Sequence, residues 1–240
     1  MKNILKIMLM MITIFTIAGS AVYAAEIPVS DQDQLITSSD WTEISNLQDE
    51  MKKEEPDATI DYDKALKVYV DCNLIKLQTA DTKKLTSALE SANYVWVIPF
   101  KMEKTYGMFT VAKGLPLREE AKSVLTKAEQ EEVKNHAGKW MITETAEHTV
   151  EPYYDILLEK REALSDCTRV VLVGSQPGMR QPVALGMDDE TARIWISLGY
   201  QYPVMEKIPE TQNVESGVYS FDSVAEISDT YIEDSEVSTG

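Results

Sequence analysis

The chain has 240 residues, of which 40 are acidic and 23 are lysine or arginine, so its formal net charge at pH 7 is −17. Because no stripe of basic residues could displace counterions from phosphates, this charge argues against binding to nucleic acid or to anionic lipid surfaces. Hydrophobic residues make up 44% of the chain and only two residues are cysteine, which predicts a globular protein with a core and excludes a disulfide-dense scaffold.

Residues 1–24 have the pattern of a secretory signal peptide. Two lysines and no acid precede an apolar run from Ile7 to Ile17, and Val22 and Ala24 hold the positions where a signal peptidase prefers small or branched residues. We therefore expect cleavage after Ala24 and a secreted, extracytoplasmic mature chain, whose net charge becomes about −19 once the two lysines are removed. The alternative is an uncleaved membrane anchor, since the apolar stretch up to Ala25 is about the shortest that can span a bilayer.

Cys72 and Cys167 are the two cysteines of the chain. In an exported protein, a single pair of cysteines predicts a disulfide. A bridge between them would close a loop of about 95 residues and stabilise the fold by up to ~4–5 kcal/mol in the chain-entropy model. The alternative is two unpaired thiols, as in organisms that seldom oxidise the proteins they export.

The sequence pattern of residues 25–56 predicts an N-terminal helical extension. Asp40 is a suitable N-cap for a helix that runs to about Lys53, and Glu43 follows Asp40 at the spacing of a capping box. Pro56 ends the segment, because the residue before a proline disfavours the helical conformation.

Residues 57–208 predict an α+β globular domain. Apolar and polar residues alternate in the first strand of its first half, which is typical of a half-buried strand, and apolar residues recur at helical spacing in the segment that follows. The elements predicted in this half are a strand over 66–70, a helix over 81–91, and a hairpin of strands over 94–100 and 107–113.

A helical segment over residues 117–137 separates the two halves of this domain. Thr126 and Glu129 have the spacing of a capping box, which would divide the segment into two short helices. The earlier order of elements then recurs, with a strand over 139–145, a helix over 152–164, and strands over 168–174, 182–185 and 192–197. The predicted fold is an antiparallel sheet with helices on one face, built from two β-α-β-β units joined by the helical segment.

Residues 209–240 predict an acidic, disordered tail. From Glu210 to Gly240 the chain has eight acids and no lysine or arginine, and its apolar residues follow neither helical nor strand spacing. The alternative is a segment that folds when it binds a partner.

The sequence identifies no catalytic residues. Ser175 lies in the stretch Gly-Ser-Gln-Pro-Gly, which lacks the spacing of a nucleophile elbow and predicts a hairpin turn. Glu144, Glu147, His148 and Glu151 are clustered, but their spacing matches neither a zinc motif nor a calcium loop. No glycine-rich phosphate loop occurs. Neither a metal nor a cofactor is therefore predicted.

Aromatic residues near strand ends are the candidates for a binding surface. Trp195, Tyr200 and Tyr202 are the predicted ligand-binding residues, because the two tyrosines follow the last strand in a Gly-Tyr-Gln-Tyr-Pro stretch. The alternative is that the tryptophans fill the core. The composition, with a leader rich in lysine, isoleucine and methionine, resembles that of small exported proteins of low-GC bacteria.

These features predict an exported, soluble, non-enzymatic binding or accessory module for a peptide, a protein or a glycan. We expect no nucleic-acid partner and, after cleavage, no membrane contact. The alternative class is an extracellular hydrolase with carboxylate-based catalysis, whose acids the sequence does not identify. A third hypothesis is an accessory protein that assembles through its acidic tail.

Overall fold

The computed structural model describes residues 27–148, 150–179, 181–200, 202, 204–209 and 213–228, and of His148 the backbone alone. The predicted signal peptide lies outside these ranges. Within them, no helix is both long enough and apolar enough to cross a bilayer.

Helices flank one large sheet in the described part of the chain. The α-helices are α1 (Trp41–Ile44), α2 (Gln48–Glu54), α3 (Thr82–Ser91), α4 (Lys127–His136) and α5 (Tyr153–Glu159), and residues 221–228 form a further C-terminal helix. The strands are β1 (Thr59–Ile60), β2 (Leu66–Val70), β3 (Asn93–Lys101), β4 (Tyr106–Lys113), β5 (Trp140–His148), β6 (Arg169–Val173), β7 (Val183–Met187), β8 (Ala192–Ser197), β9 (Asn213–Glu215) and β10 (Val218–Ser220).

The described strands form a single sheet in the order β5-β4-β3-β2-β6-β7-β8-β10-β9, with β1 paired to the end of β3. Neighbouring strands are antiparallel except for β2 and β6, which are parallel at the centre of the sheet. The helices and the mostly antiparallel sheet confirm the predicted α+β fold.

Different helices cover the two faces of the sheet. Successive side chains of a strand point to opposite faces, so Tyr69 lies in the core on one face, which we call the first face, and Val68 in the core on the second. Helices α1, α2 and α3 and the C-terminal helix pack on the first face. Helix α5 packs on the second face through Ile156 and Leu157. The structure therefore adds a helix on the second face to the predicted arrangement.

The N-terminal segment is part of the sheet. Strands β2 and β6 pair directly at only two positions near their C-terminal ends. Towards their N-terminal ends, residues 28–35 lie between them, with Val29 bridged to Val170 of β6 and Gln34 bridged to Leu66 of β2. The predicted N-terminal extension is therefore integral to the fold over its described residues.

The central helical segment is an excursion from a β-hairpin. Gly114 and Ala137 are bridged, and the Gly138 N–H donates to the Gly114 carbonyl at 2.7 Å, so the chain leaves β4 and returns to β5 at the same place. Within the excursion, Thr126 caps α4 and Glu129 completes the predicted capping box. Because β5 pairs with β4, the second half of the sheet begins with β6 rather than with β5.

The structure corrects the prediction of a disordered tail for residues 213–228. Strand β10 pairs with β8, β9 pairs with β10, and the side chains of Val218, Phe221 and Val224 are buried. The Phe221 ring stacks on Trp195 with 5.6 Å between the ring centroids. Two three-residue strands and a short helix are too brief for a periodic pattern to identify them.

Candidate functional site

An apolar groove crosses the second face of the sheet from β2 to β5. Its floor consists of Val68, Val70, Val95, Val97 and Met108, and its volume is about 220 Å³. The valines of β2 and β3 lie side by side, because these neighbouring strands are antiparallel and in register. Helix α5 covers only part of the second face, so Val70 and Val95 remain half-buried. We call this feature the valine groove.

Polar side chains from four elements border the valine groove. Thr110 of β4 and Glu144 of β5 line it towards the edge of the sheet, Tyr153 of α5 lines it from above, and Ser175 and Gln181 come from the loop between β6 and β7. The Thr110 hydroxyl donates to the Glu144 carboxylate at 3.5 Å. Burial raises the pKa of the Tyr153 phenol, which is therefore a neutral hydrogen-bonding group. An apolar floor with a few polar groups is the usual composition of a ligand site.

The loop between β6 and β7 is held against the groove by the buried side chain of Gln176. This side chain accepts a hydrogen bond from the Leu74 N–H at 3.0 Å and donates to the carbonyl oxygens of Cys72 at 2.6 Å and Gly174 at 3.0 Å. Ser175 beside it has φ 57°, a left-handed conformation that costs a non-glycine residue about 1–2 kcal/mol. The anchored amide thus maintains a strained backbone at the rim of the groove.

Ser175 has the surroundings of a turn residue and lacks those of a nucleophile. The Met179 N–H donates to the Gln176 carbonyl at 2.9 Å, and Gly178 adopts φ 73°, so the chain turns here as predicted. The Ser175 hydroxyl forms no hydrogen bond to a carboxylate or an imidazole whose side chain the structure describes. No described group would therefore activate it for attack.

A second cavity, of about 440 Å³, lies at the end of the sheet where the excursion containing α4 departs, and we call it the strand-end cleft. Tyr94, Leu115 and Trp140 line it. The Tyr94 hydroxyl already donates to Asp40 at 2.9 Å, and the Lys113 ammonium lies 5.4 Å from the centroid of the Trp140 ring. Trp140 is only 7% exposed, so its ring does not offer a face for a stacked ligand.

The predicted ligand-binding aromatics do not form an exposed surface, and this prediction is corrected. Trp195 is fully buried against Phe221, and Tyr202 is 3% exposed, with its hydroxyl donating to the Pro182 carbonyl. Tyr200 is half-buried and contacts the cores of both faces. The strand end that carries these residues is covered by the chain that returns as β9, β10 and the C-terminal helix.

The predicted disulfide between Cys72 and Cys167 is not formed, because both thiols are free. Cys167 lies in the core of the second face, whereas Cys72 packs against the core of the first face, so the sheet lies between them. Burial raises the pKa of each thiol to about 11. Neither thiol is therefore a reactive thiolate at neutral pH.

The acidic residues near the end of β5 do not converge on a metal site. Glu144 lies opposite Thr110 on the second face, whereas Glu147 lies opposite Gly107 and projects from the first face. Among the described side chains, no group of three or more histidines, cysteines and acids could hold a metal ion.

A buried ionic cluster, which the sequence did not reveal, joins the N-terminal segment to the sheet. Asp33 is 2% exposed and accepts hydrogen bonds from the Tyr69 hydroxyl at 2.7 Å and from Arg169 at 3.0 Å. The Lys67 ammonium lies 3.8 Å from the Asp33 carboxylate and 4.5 Å from the centroid of the Tyr94 ring. Burial lowers the pKa of Lys67. The cluster closes the gap between β2 and β6, so its role is structural.

Sequence reasoning identified β2 and β3 as strands but missed the groove on them. The available signal was the run from Tyr94 to Ile98, which is apolar at every position and therefore requires cover on both faces of the sheet. The sequence does not show which element covers each face of β3 or how far it extends, because the covering elements are distant from β3 in the chain.

No protein-family model matches the chain, and neither a curated protein nor a solved structure matches it. Its function is therefore inferred from the valine groove and its surroundings.

Proposed function

We propose that this protein is a non-enzymatic binding module that takes an apolar side chain of a basic peptide segment into the valine groove. The observation that carries the proposal is the groove itself, an apolar channel left open by α5 on a sheet whose other face is covered by helices. Covering the half-buried Val70 and Val95 is favourable, because each Å² of apolar surface removed from water contributes roughly 25 cal/mol.

The charge of the chain supports a basic partner. Glu144 is exposed at the rim of the groove, and 40 acids against 23 bases give the chain a negative field. Such a field steers a cationic segment to the surface and repels an acidic one.

The hydrolase alternative has less support. Carboxylate-based hydrolysis requires two acids roughly 5–10 Å apart on either side of the scissile bond. Glu144 is the one acid among the described residues that line the groove. A single carboxylate beside hydroxyl groups does not supply the pair of acids that this chemistry requires.

The proposal places the module outside the cytoplasm, on the strength of the lysine-rich start, the apolar run and the peptidase site within residues 1–24. Mass spectrometry of the secreted protein tests this part, with Ala25 expected as the first residue. A mature chain that retains Met1 and its apolar run would contradict it.

The groove is tested by titration with a fluorescent heptapeptide of alternating lysine and leucine at low ionic strength. We expect Gly174→Leu to weaken binding at least about tenfold, equivalent to ~1.4 kcal/mol. A Cβ at Gly174 would lie 3.6 Å from the side chains of Val68 and Val70, which is an ordinary contact, so the backbone accepts it and the rest of the leucine occupies the groove.

The matched control is Ala92→Leu, which narrows the strand-end cleft instead. It should leave the affinity within about twofold, and a peptide with serine in place of leucine should bind both forms weakly. Thermal unfolding verifies that both variants are folded. Unchanged peptide affinity of Gly174→Leu would disprove the groove as the site.

A further inference from the structure

Strand β5 ends the sheet on one side and presents a long edge. It comprises Trp140–His148 and is held by β4 at eight paired positions. No described strand pairs with its other side, so the backbone groups that point away from β4 are available for pairing. At the opposite end of the sheet, β9 has only three residues.

The edge of β5 lacks several of the devices that protect edge strands, although it carries two glutamates and one bulge. Lysine, proline and very short length are the common devices that prevent a further strand from adding. The sequence Trp-Met-Ile-Thr-Glu-Thr-Ala-Glu-His contains no lysine, arginine or proline. Its one irregularity is a register shift at Thr143, beyond which the residues from Glu144 to His148 pair regularly with β4.

The two faces of β5 favour different side chains on an added strand. On the second face, Glu144 and Ala146 line the valine groove, so apolar side chains placed beside them extend towards it. On the first face lie Glu147 and Thr145, and the Thr145 hydroxyl donates to Glu54. Basic side chains on this face would meet two carboxylates.

We infer that the partner is an extended segment of alternating basic and apolar residues that adds to β5 as a further strand. The inference rests on the proposed function, because its apolar residues are the ones that reach the valine groove. In strand addition, main-chain hydrogen bonds supply affinity and alternate side chains supply specificity. A second copy of this chain is disfavoured as the occupant, since pairing β5 with β5 would bring Glu144 and Glu147 of two acidic chains together.

The test compares three forms of the lysine–leucine heptapeptide: unmodified, N-methylated at the leucines, and N-methylated at the lysines. In an extended peptide, the N–H groups of alternate residues point to one edge, and strand addition uses one edge only. We expect one methylated peptide to bind within about threefold of the unmodified peptide and the other at least about tenfold more weakly. Hydrogen exchange of amides in residues 144–148 should slow when the unmodified peptide binds.

The contribution of charge is tested with Glu147→Lys, which we expect to weaken peptide binding by about threefold or more. The control is Glu190→Lys, which makes the same charge change in the turn between β7 and β8. This control should weaken binding less. Equal affinities for the two methylated peptides overturn strand addition. Strand addition by a peptide would also be overturned if the free protein sediments as a dimer that dissociates when the peptide binds.

Failure of this inference is distinguishable from failure of the proposed function. If Gly174→Leu weakens binding while the two methylated peptides bind equally, the groove is the site and the added strand is wrong. If the methylated peptides differ while Gly174→Leu has no effect, the segment pairs with β5 and the groove is not its site.

Discussion

At the scale of single residues, Asp33 determines how the N-terminal segment is held in the sheet. A carboxylate that is almost fully buried is stable only when its charge is compensated and its oxygens accept hydrogen bonds. Arg169 and Lys67 supply the charge, and the Tyr69 hydroxyl and Arg169 supply the hydrogen bonds. Removal of the carboxylate would leave Arg169 without its ion-pair partner and Lys67 with Asp40 as its remaining acidic neighbour.

We predict that Asp33→Ala lowers the free energy of unfolding by about 3–5 kcal/mol, the usual effect of removing one partner from a buried ion pair. Urea denaturation measures this, and Asp33→Asn, which keeps a hydrogen-bond acceptor, should lose less. The control is Glu131→Ala, which breaks the exposed pair with Lys134 and should change the free energy by less than about 1 kcal/mol. Equal effects of Asp33→Ala and Glu131→Ala would contradict a structural role for the cluster.

At the scale of elements, the Phe100 ring of β3 lies directly against the backbone of β4 at Gly107, and this contact determines how the two strands pack. A Cβ at Gly107 of β4 would lie 2.1 Å from the nearest atom of the Phe100 ring, which is in the core of the first face. Gly174 at the end of β6 has no such obstacle, since the nearest atoms to its added Cβ are 3.6 Å away. Gly107 therefore has no room for a side chain, whereas Gly174 has room for one.

We predict that Gly107→Ala destabilises the fold by about 1–3 kcal/mol, because the buried Phe100 ring has to move. Gly174→Ala should stay within about 0.5 kcal/mol of the wild type. Denaturant unfolding of the two variants side by side measures the difference. A Gly107→Ala variant as stable as Gly174→Ala would show that the Phe100 ring lies elsewhere.

The C-terminal elements provide a second test at this scale. Phe221 is buried and stacked on Trp195, whereas Val214 of β9 is 57% exposed. We predict that Phe221→Ala lowers the free energy of unfolding by about 3–5 kcal/mol, and that Val214→Ala changes it by less than about 0.5 kcal/mol. If this part of the chain were a disordered tail, neither substitution would change stability.

At the scale of the whole molecule, burial keeps several weak acids protonated. The pKa of both thiols is raised from 9.0 to about 11. Burial also raises the pKa of the phenols of Tyr69, Tyr94, Tyr153 and Tyr202 above the ordinary 10.0. Because the unfolded chain releases these protons at lower pH than the folded chain does, alkali favours unfolding.

We predict that stability is unaffected by these groups below about pH 9 and declines as the pH rises from about 9 through 11, first through the thiols and then through the phenols. Urea denaturation at a series of pH values measures the decline. The double variant Cys72→Ala/Cys167→Ala should show a shallower slope between about pH 9 and 10, where only the thiols contribute. A flat profile up to about pH 10.5 would refute the burial of these groups.

Much of the fold could be predicted from the sequence, and little of the site. The strands from β2 to β8 show alternating or continuous apolar patterns, and the capping box of Thr126 and Glu129 marks the start of α4, because these signals arise between residues close together in the chain. The elements after residue 212 were missed because each is too short to show a period. The burial of Trp195 depends on one of them.

The sequence by itself determined the acidic charge, the α+β class and most of the strands, since composition and periodicity are local properties that a single chain displays directly. Only the tertiary structure decided which apolar residues remain exposed to solvent. The two cysteines are separated by a sheet, the predicted aromatics are covered by returning chain, and the valines of β2 and β3 face a gap beside α5. Exposure depends on elements that meet from distant parts of the chain, so no local pattern contains it.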